Sequence, residues 1–217
     1  YYSFDGTAGQ SLSSSLTDLT GNVTFNTEGS VAYKAGYMGT GADFISSSDS
    51  GLYHNDPGNS DILDLSIPQY SIDLWFKADT VAQSVLIRKY HPWYIELKST
   101  GAVHWLHASE DDSQGLFSSA GSIQTGQWYN VTAVFDSFDI TQPMKLYIND
   151  TLVDSGSMVA WNYEDNDAPV GIGMIKRPRG SSGQYFDGII DELKITDYAI
   201  EFIPEAPVLS ALTPTED

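Results

Sequence analysis

The sequence has no cysteine in its 217 residues. Thiol chemistry and disulfides are therefore excluded, and a chain of this length can bury enough surface to need no covalent staple. The absence of cysteine does not argue for a reducing compartment. Cations are also scarce, with 10 Lys and Arg against 29 Asp and Glu and a net charge of −19. That balance argues against a nucleic-acid partner, whose phosphates demand a basic footprint. It fits a highly soluble extracellular protein. No apolar run is long enough to span a bilayer, so no membrane partner is expected. No leader-like segment opens the chain, which reads as a mature or excised piece. Sustained helical periodicity is missing throughout. So are the GxSxG elbow, the HExxH helix and strand-borne carboxylate patterns such as ExDxE.

What remains is a succession of short alternating segments separated by turn signals. The clearest is YSIDLWFK at 70–77, which places Tyr70, Ile72, Leu74 and Phe76 on one side and Ser71, Asp73, Trp75 and Lys77 on the other. WYNVTAVFD at 128–136 alternates in the same way. Asn149-Asp150 between two apolar runs is a two-residue hairpin signal. YFDGIIDELKI at 185–195 reads as a closing strand beside the first segment, YYSFD at 1–5. Strict alternation there places Asp191 with Ile189, Leu193 and Ile195, and Gly188 predicts a bulge or a close backbone approach. Residues 46–59, carrying Tyr53 and His54, read as a long polar loop, and 109–122 as another. Many short strands with turns between them predict an all-β fold, a two-sheet antiparallel sandwich over 1–203. The Pro-rich stretch 204–217 reads as a linker toward a further domain.

The order of motifs resembles the laminin-G-like, concanavalin A-like jelly-roll family. The resemblance runs through FDGT at 4–7, DLTGN at 18–22, GTGADF at 39–44, SIDLWFKA at 71–78, LIRKY and YIELKSTG across 86–101, GQWYNVTAVFD at 126–136, LYINDTLV at 146–153, VGIGM at 170–174 and FDGIIDELKI at 186–195. It implies two antiparallel sheets with adjacent chain ends. Members are commonly sugar-recognition or adhesion modules of extracellular multidomain proteins, and some relatives are glycoside hydrolases or polysaccharide lyases. The resemblance also implies a structural calcium near the chain ends, for which Asp5, Asp18, Asn22 and Asp191 are the candidate ligands, because hard cations take carboxylate and carbonyl oxygens at turns.

Sugars are held by aromatic rings against their apolar faces and by planar polar groups along their edges. Candidate rings are Tyr53, His54 and Trp161 on loops, Tyr90, His91 and Trp93 around Pro92, and the pair Trp105 and His107. Trp75 and Trp128 match the family pattern and are assigned to packing. Five of the ten cations cluster as Arg88, Lys89, Lys176, Arg177 and Arg179. Such a cluster in an acidic chain suggests an anionic ligand. The expectation is a calcium-stabilised, monomeric, non-catalytic carbohydrate-binding module of a secreted polysaccharide-degrading protein, directed at an acidic polysaccharide. A polysaccharide lyase using His107 and Tyr94, and an adhesion or spacer domain, are the alternatives.

Overall fold

Strand alternation decides the architecture. The segments 69–78 and 128–136 pair antiparallel, with Leu74 opposite Val131 and Ile72 opposite Ala133. Their apolar sides therefore coincide, and Tyr70, Ile72, Leu74, Phe76, Val131, Ala133 and Phe135 are all sealed from solvent.

The computed structural model describes residues 1–12, 15–56, 58, 61–90, 92–108, 113–160 and 167–202. In chain order its strands are β1 (Ser15–Thr17), β2 (Thr24–Glu28), β3 (Ala32–Ala35), β4 (Thr40–Phe44), β5 (Gly51–His54), β6 (Gln69–Ala78), β7 (Ser84–Lys89), β8 (Trp93–Leu97), β9 (Val103–Ala108), β10 (Ser113–Phe117), β11 (Trp128–Asp136), β12 (Met144–Ile148), β13 (Thr151–Gly156), β14 (Val170–Ile172), β15 (Ile175–Lys176), β16 (Ser182–Gly183) and β17 (Gly188–Thr196). One sheet has the order β13-β12-β11-β6-β17-β4-β3, the other β1-β2-β5-β14-β7-β8-β9-β10, and β15-β16 form a separate ribbon. Leu52, Ile87, Trp93, Ile95 and Trp105 of the eight-stranded sheet share one apolar cluster with Tyr70, Ile72, Phe76, Phe135 and Leu146 of the seven-stranded sheet. This is the expected all-β, two-sheet antiparallel jelly-roll sandwich, and no α-helix occurs among the described residues.

The first segment and the closing strand lie side by side, as expected, but the first segment is a single bridge rather than a strand. The Tyr2 amide donates to the Leu193 carbonyl at 2.8 Å, and no longer ladder forms there among the described residues. In β17 a Cβ on Gly188, whose φ is +145°, would overlap the Lys77 carbonyl oxygen, so the close approach is real. The bulge lies elsewhere, at Glu192, whose φ is +52°. Pairing jumps there from Asp191 opposite Trp75 to Lys194 opposite Asp73. One extra residue reverses the alternation. Ile190, Leu193 and Ile195 consequently face the core, while Asp191 and Lys194 face outward with Trp75 and Asp73. Simple alternation had grouped Asp191 with Leu193.

Both β5 and β10 arise where loops were expected. β5 lies inside the eight-stranded sheet between β2 and β14, and β10 closes its edge against β9. Leu52 and Leu116 are their buried apolar anchors, too few to give a period. The Asn149-Asp150 hairpin is as expected, with φ of +48° and +60°. The stretch 204–217 lies outside the described residues.

Candidate functional site

The aromatic residues divide in the reverse of the expected way. Trp93, Trp105 and His107 are sealed inside, each at 0% exposure, so none presents a ring face to a ligand. Trp93 donates its indole N–H to the Leu63 carbonyl at 3.2 Å. The Trp105 ring meets Tyr70 edge-on at 6.5 Å. His107 Nε2 lies 2.8 Å from the Ala160 carbonyl and Nδ1 lies 2.8 Å from the Tyr70 hydroxyl. The carbonyl requires a proton on Nε2, so Nδ1 accepts from Tyr70. Burial lowers the His107 pKa to about 4, and the ring is neutral. Parity explains all three placements, because Trp93 and Trp105 continue the inward positions of Ile95 and Val103.

The basic cluster also disperses. Arg88 and Lys89 are neighbours in a strand and point to opposite faces. Arg88 donates to Glu96 at 2.6 Å and lies over Tyr94 at 4.5 Å and the half-buried Tyr90 at 5.6 Å. Lys89 is buried between Asp56 and Asp64. Lys176 is bonded to Glu28 and sits 4.4 Å above the Tyr53 ring. Arg177 is half-buried and Arg179 exposed in the turn between β15 and β16. His54 has both nitrogens bound, Nδ1 to the Thr24 carbonyl and Nε2 to Asp61, each at 2.8 Å. Its hydrogen bond to Asp61 raises its pKa. His91 and Trp161 lie outside the described residues.

The four expected calcium ligands do not all converge: Asp5 and Asp191 both bond the segment 37–40, while Asp18 and Asn22 close a separate turn. Asp18 closes its own turn, with Oδ1 accepting from the amides of Asn22 and Val23 at 2.8 and 2.9 Å and Oδ2 from the Thr20 amide at 3.1 Å. Burial alone would raise this carboxyl, but the Thr20 hydroxyl and those amides outweigh it and hold it down at about 2. Asn22 is exposed and donates to the Thr20 hydroxyl at 3.0 Å. Asp5, exposed, accepts from the Thr40 amide at 3.3 Å. Asp191 is fully buried and accepts from Tyr37, Met38 and Glu192 amides at 2.9, 3.0 and 2.9 Å. Among the described residues no three acidic or histidine side chains form a metal-sized group. The set does not fit one shared cation.

What Asp191 does hold is the turn joining β3 to β4. That turn carries Tyr37 and Met38 over the outer face of the seven-stranded sheet. Tyr37 lies flat on Trp75, with ring centroids 3.4 Å apart and planes 8° apart, and meets Trp128 edge-on at 5.9 Å. Trp75 and Trp128 are half-buried, and Tyr37 is 46% exposed. Tyr37, the more exposed ring of the stacked pair, thus meets solvent. Beside it is a hollow of about 410 Å³ lined by Tyr1, Met38, Asp73, Trp75, Glu192 and Lys194. Asp73 is fixed through Oδ2, which accepts from Thr132 at 2.6 Å and from Asn130 at 3.0 Å. Lys77 lies 5.1 Å from the Trp128 ring centre. Residues 198–202 cross the far end of the same face, where Ser71 bonds Tyr198 and Ile200 at 2.9 and 2.8 Å and Phe202 packs on Tyr147.

The surface therefore combines an aromatic platform with an oriented carboxylate and an ammonium. The outward parity of Asp73 and Trp75 was readable in the sequence. Tyr37 was not, because its position depends on a carboxylate 154 residues away.

No curated protein matches the sequence. Among solved structures, domain 4 of AbnA, a GH43 extracellular arabinanase from Geobacillus stearothermophilus, in complex with arabinotriose, is 23% identical, with a TM-score of 0.60 over 90% of this chain and 96% of that one. The binding domain of Paraclostridial Mosquitocidal Protein 1 is 17% identical, with a TM-score of 0.67 over 89% of this chain and 49% of that one. The receptor binding domain of botulinum neurotoxin mosaic serotype C/D is 18% identical, with a TM-score of 0.63 over 88% and 47%. The chain spans about half the length of these last two. At such identities the likeness shows the fold. A family model described as "Concanavalin A-like lectin/glucanases superfamily", of the laminin G type, matches residues 47–201. With that share of its 217 residues matched, the chain belongs to the concanavalin A-like lectin/glucanases superfamily.

Proposed function

We propose that this chain is a non-catalytic carbohydrate-binding module that takes a neutral glycan on the outer face of the seven-stranded sheet. The observation that carries this reading is the Tyr37–Trp75 stack beside the Asp73–Lys194 hollow. A pyranose or furanose ring lays its C–H face on such a platform and turns its hydroxyls to the carboxylate and ammonium. The arabinotriose held by the arabinanase domain of the same fold supports the ligand class. A secreted, multidomain, polysaccharide-degrading parent protein is the setting that suits such a module. The acidic polysaccharide expected from the cation cluster fits less well. Three of its five cations are bound to the chain's own carboxylates, and the hollow itself carries Asp73 and Glu192.

Affinity electrophoresis through gels containing neutral or acidic polysaccharides tests the reading. At least one neutral polymer should retard the protein, and Trp75→Ala should weaken that retardation roughly tenfold. Full mobility in every gel would overturn it. The lyase alternative named His107 and Tyr94: the sealed His107 ring, with both nitrogens bound, has no path to a substrate, and Tyr94 is half-buried beneath Arg88. No rise in ultraviolet absorbance from unsaturated product is expected, and such a rise would replace this reading.

Calcium has no role in the proposal. Because the four ligands do not all converge, a chelator should shift the melting temperature by less than about 1 °C, since only a ligand of the folded state adds stability. A drop reversed by added calcium would establish a site.

A further inference from the structure

A second concavity, of about 800 Å³, opens where the first residues meet the end of the closing strand. It lies within the range of about 300–1,000 Å³ common for ligand sites. Among the described residues it shares only Tyr1 with the hollow described above. Its floor is apolar, built from Tyr2, Val23, Leu63, Leu65 and Leu193, all buried. Its polar wall is acidic, with Asp18, Asp61, Asp64 and Asp197, and among the described residues no Lys, Arg or His lines it.

Part of this acidity is compensated from behind and part is not. His54 answers Asp61. Lys89 is shared by Asp64 and Asp56, two carboxylates to one ammonium. Asp18 is kept ionised by the Thr20 hydroxyl and the amides of its turn and lies 3.7 Å from the Tyr1 amino group, which balances it. Asp197 is exposed. A net negative charge therefore faces the groove, in a chain that is already at −19.

We infer that this groove seats a segment of a partner protein that carries both basic and apolar side chains. Charge complementarity selects the basic component. The apolar floor selects the apolar one, since a glycan's hydroxyls would meet mostly buried hydrocarbon there. The rim extends past the dimensions of a small amine. Ile62 is 62% exposed and Tyr198 is 49% exposed on its walls. Large apolar side chains displayed together around an apolar cleft mark a protein contact.

The test uses fluorescence anisotropy with three fluorescein-labelled hexapeptides, alternating Lys–Leu, Lys–Ser and Glu–Leu. The Lys–Leu peptide should bind saturably, and the other two roughly tenfold more weakly or worse. Ile62→Ser leaves the net charge unchanged and, at an exposed site, should leave the melting temperature unchanged. It should weaken Lys–Leu binding roughly fivefold. Asp197→Asn should weaken it about threefold and flatten its salt dependence. Tyr37→Ala, in the glycan face, should leave it intact, whether or not that face binds sugar. Equal binding of Lys–Leu and Lys–Ser peptides, or indifference to Ile62→Ser, would mean attraction to bulk charge and would overturn the inference. Loss of binding in Tyr37→Ala, or no saturable binding of the Lys–Leu peptide, would overturn it too.

Discussion

Replacing Lys89 by methionine should lower the unfolding free energy by about 3–5 kcal/mol, because removing one member of a buried charge cluster leaves the others uncompensated. For a domain of this size that corresponds to a fall in melting temperature of roughly 10 °C. Lys89 follows Ile87 on the inward side of β7, opposite Val170 and Trp93. Its side chain is 1% exposed and lies between Asp56, also at 1%, and Asp64, at 11% and 2.6 Å. Burial alone would lower the ammonium's pKa, and the two carboxylates more than offset this and raise it. Methionine fills much of the volume but leaves two carboxylates in a site that water scarcely reaches. Adding Asp56→Asn and Asp64→Asn to Lys89→Met should therefore restore most of the loss, a non-additivity expected only of groups in contact. A cost for Lys89→Met below about 1 kcal/mol, the range of an exposed pair, would show that the cluster is solvated.

The second large effect belongs to Asp191. Asp191→Ala should cost on the order of 3 kcal/mol, since it strips the acceptor from three amides at once. Those amides belong to Tyr37, Met38 and Glu192. The turn that aligns Tyr37 with Trp75 should loosen with it, and glycan affinity should fall together with stability. Asp191→Asn keeps the shape and separates charge from volume. Burial, the largest influence, raises the Asp191 pKa to about 6 despite the amides that favour its ionised form. The folded state then holds its proton more tightly than the unfolded chain, where the value is about 3.9. Its stabilising contribution is full below about pH 4 and is lost as the pH rises to about 6. The stability of the unaltered protein minus that of Asp191→Asn should accordingly shrink across that window and stay level above pH 7, as read from urea midpoints. A difference that grows across the window would reverse the sign of the argument.

Where one period governed a long segment, the sequence was legible. The ten residues of β6 and nine of β11 declared their inward sides by alternation alone. The same rule applied to β8 and β9 would have sent Trp93 and Trp105 inward with Ile95 and Val103, and adjacent Arg88 and Lys89 to opposite faces. Those expectations failed because ring type and charge were weighed above parity. Other features were not local. The bulge at Glu192 reverses the closing strand without a glycine to announce it. β5 offers four residues and one buried leucine. Asp191, grouped by alternation with three apolar residues, was assigned to a cation. Its partners are amides from a turn 154 and 153 residues away, a pairing that only the folded chain supplies.

The claim that the outer face of the seven-stranded sheet receives the glycan is tested most directly by tryptophan indole resonances. These would be followed while a neutral oligosaccharide, cut from whichever polymer retards the protein, is titrated to saturation. The signals of Trp75 and Trp128 should move together along one binding curve, while those of the sealed Trp93 and Trp105 hold still. Saturable binding that leaves Trp75 and Trp128 unmoved would place the sugar elsewhere and contradict the account.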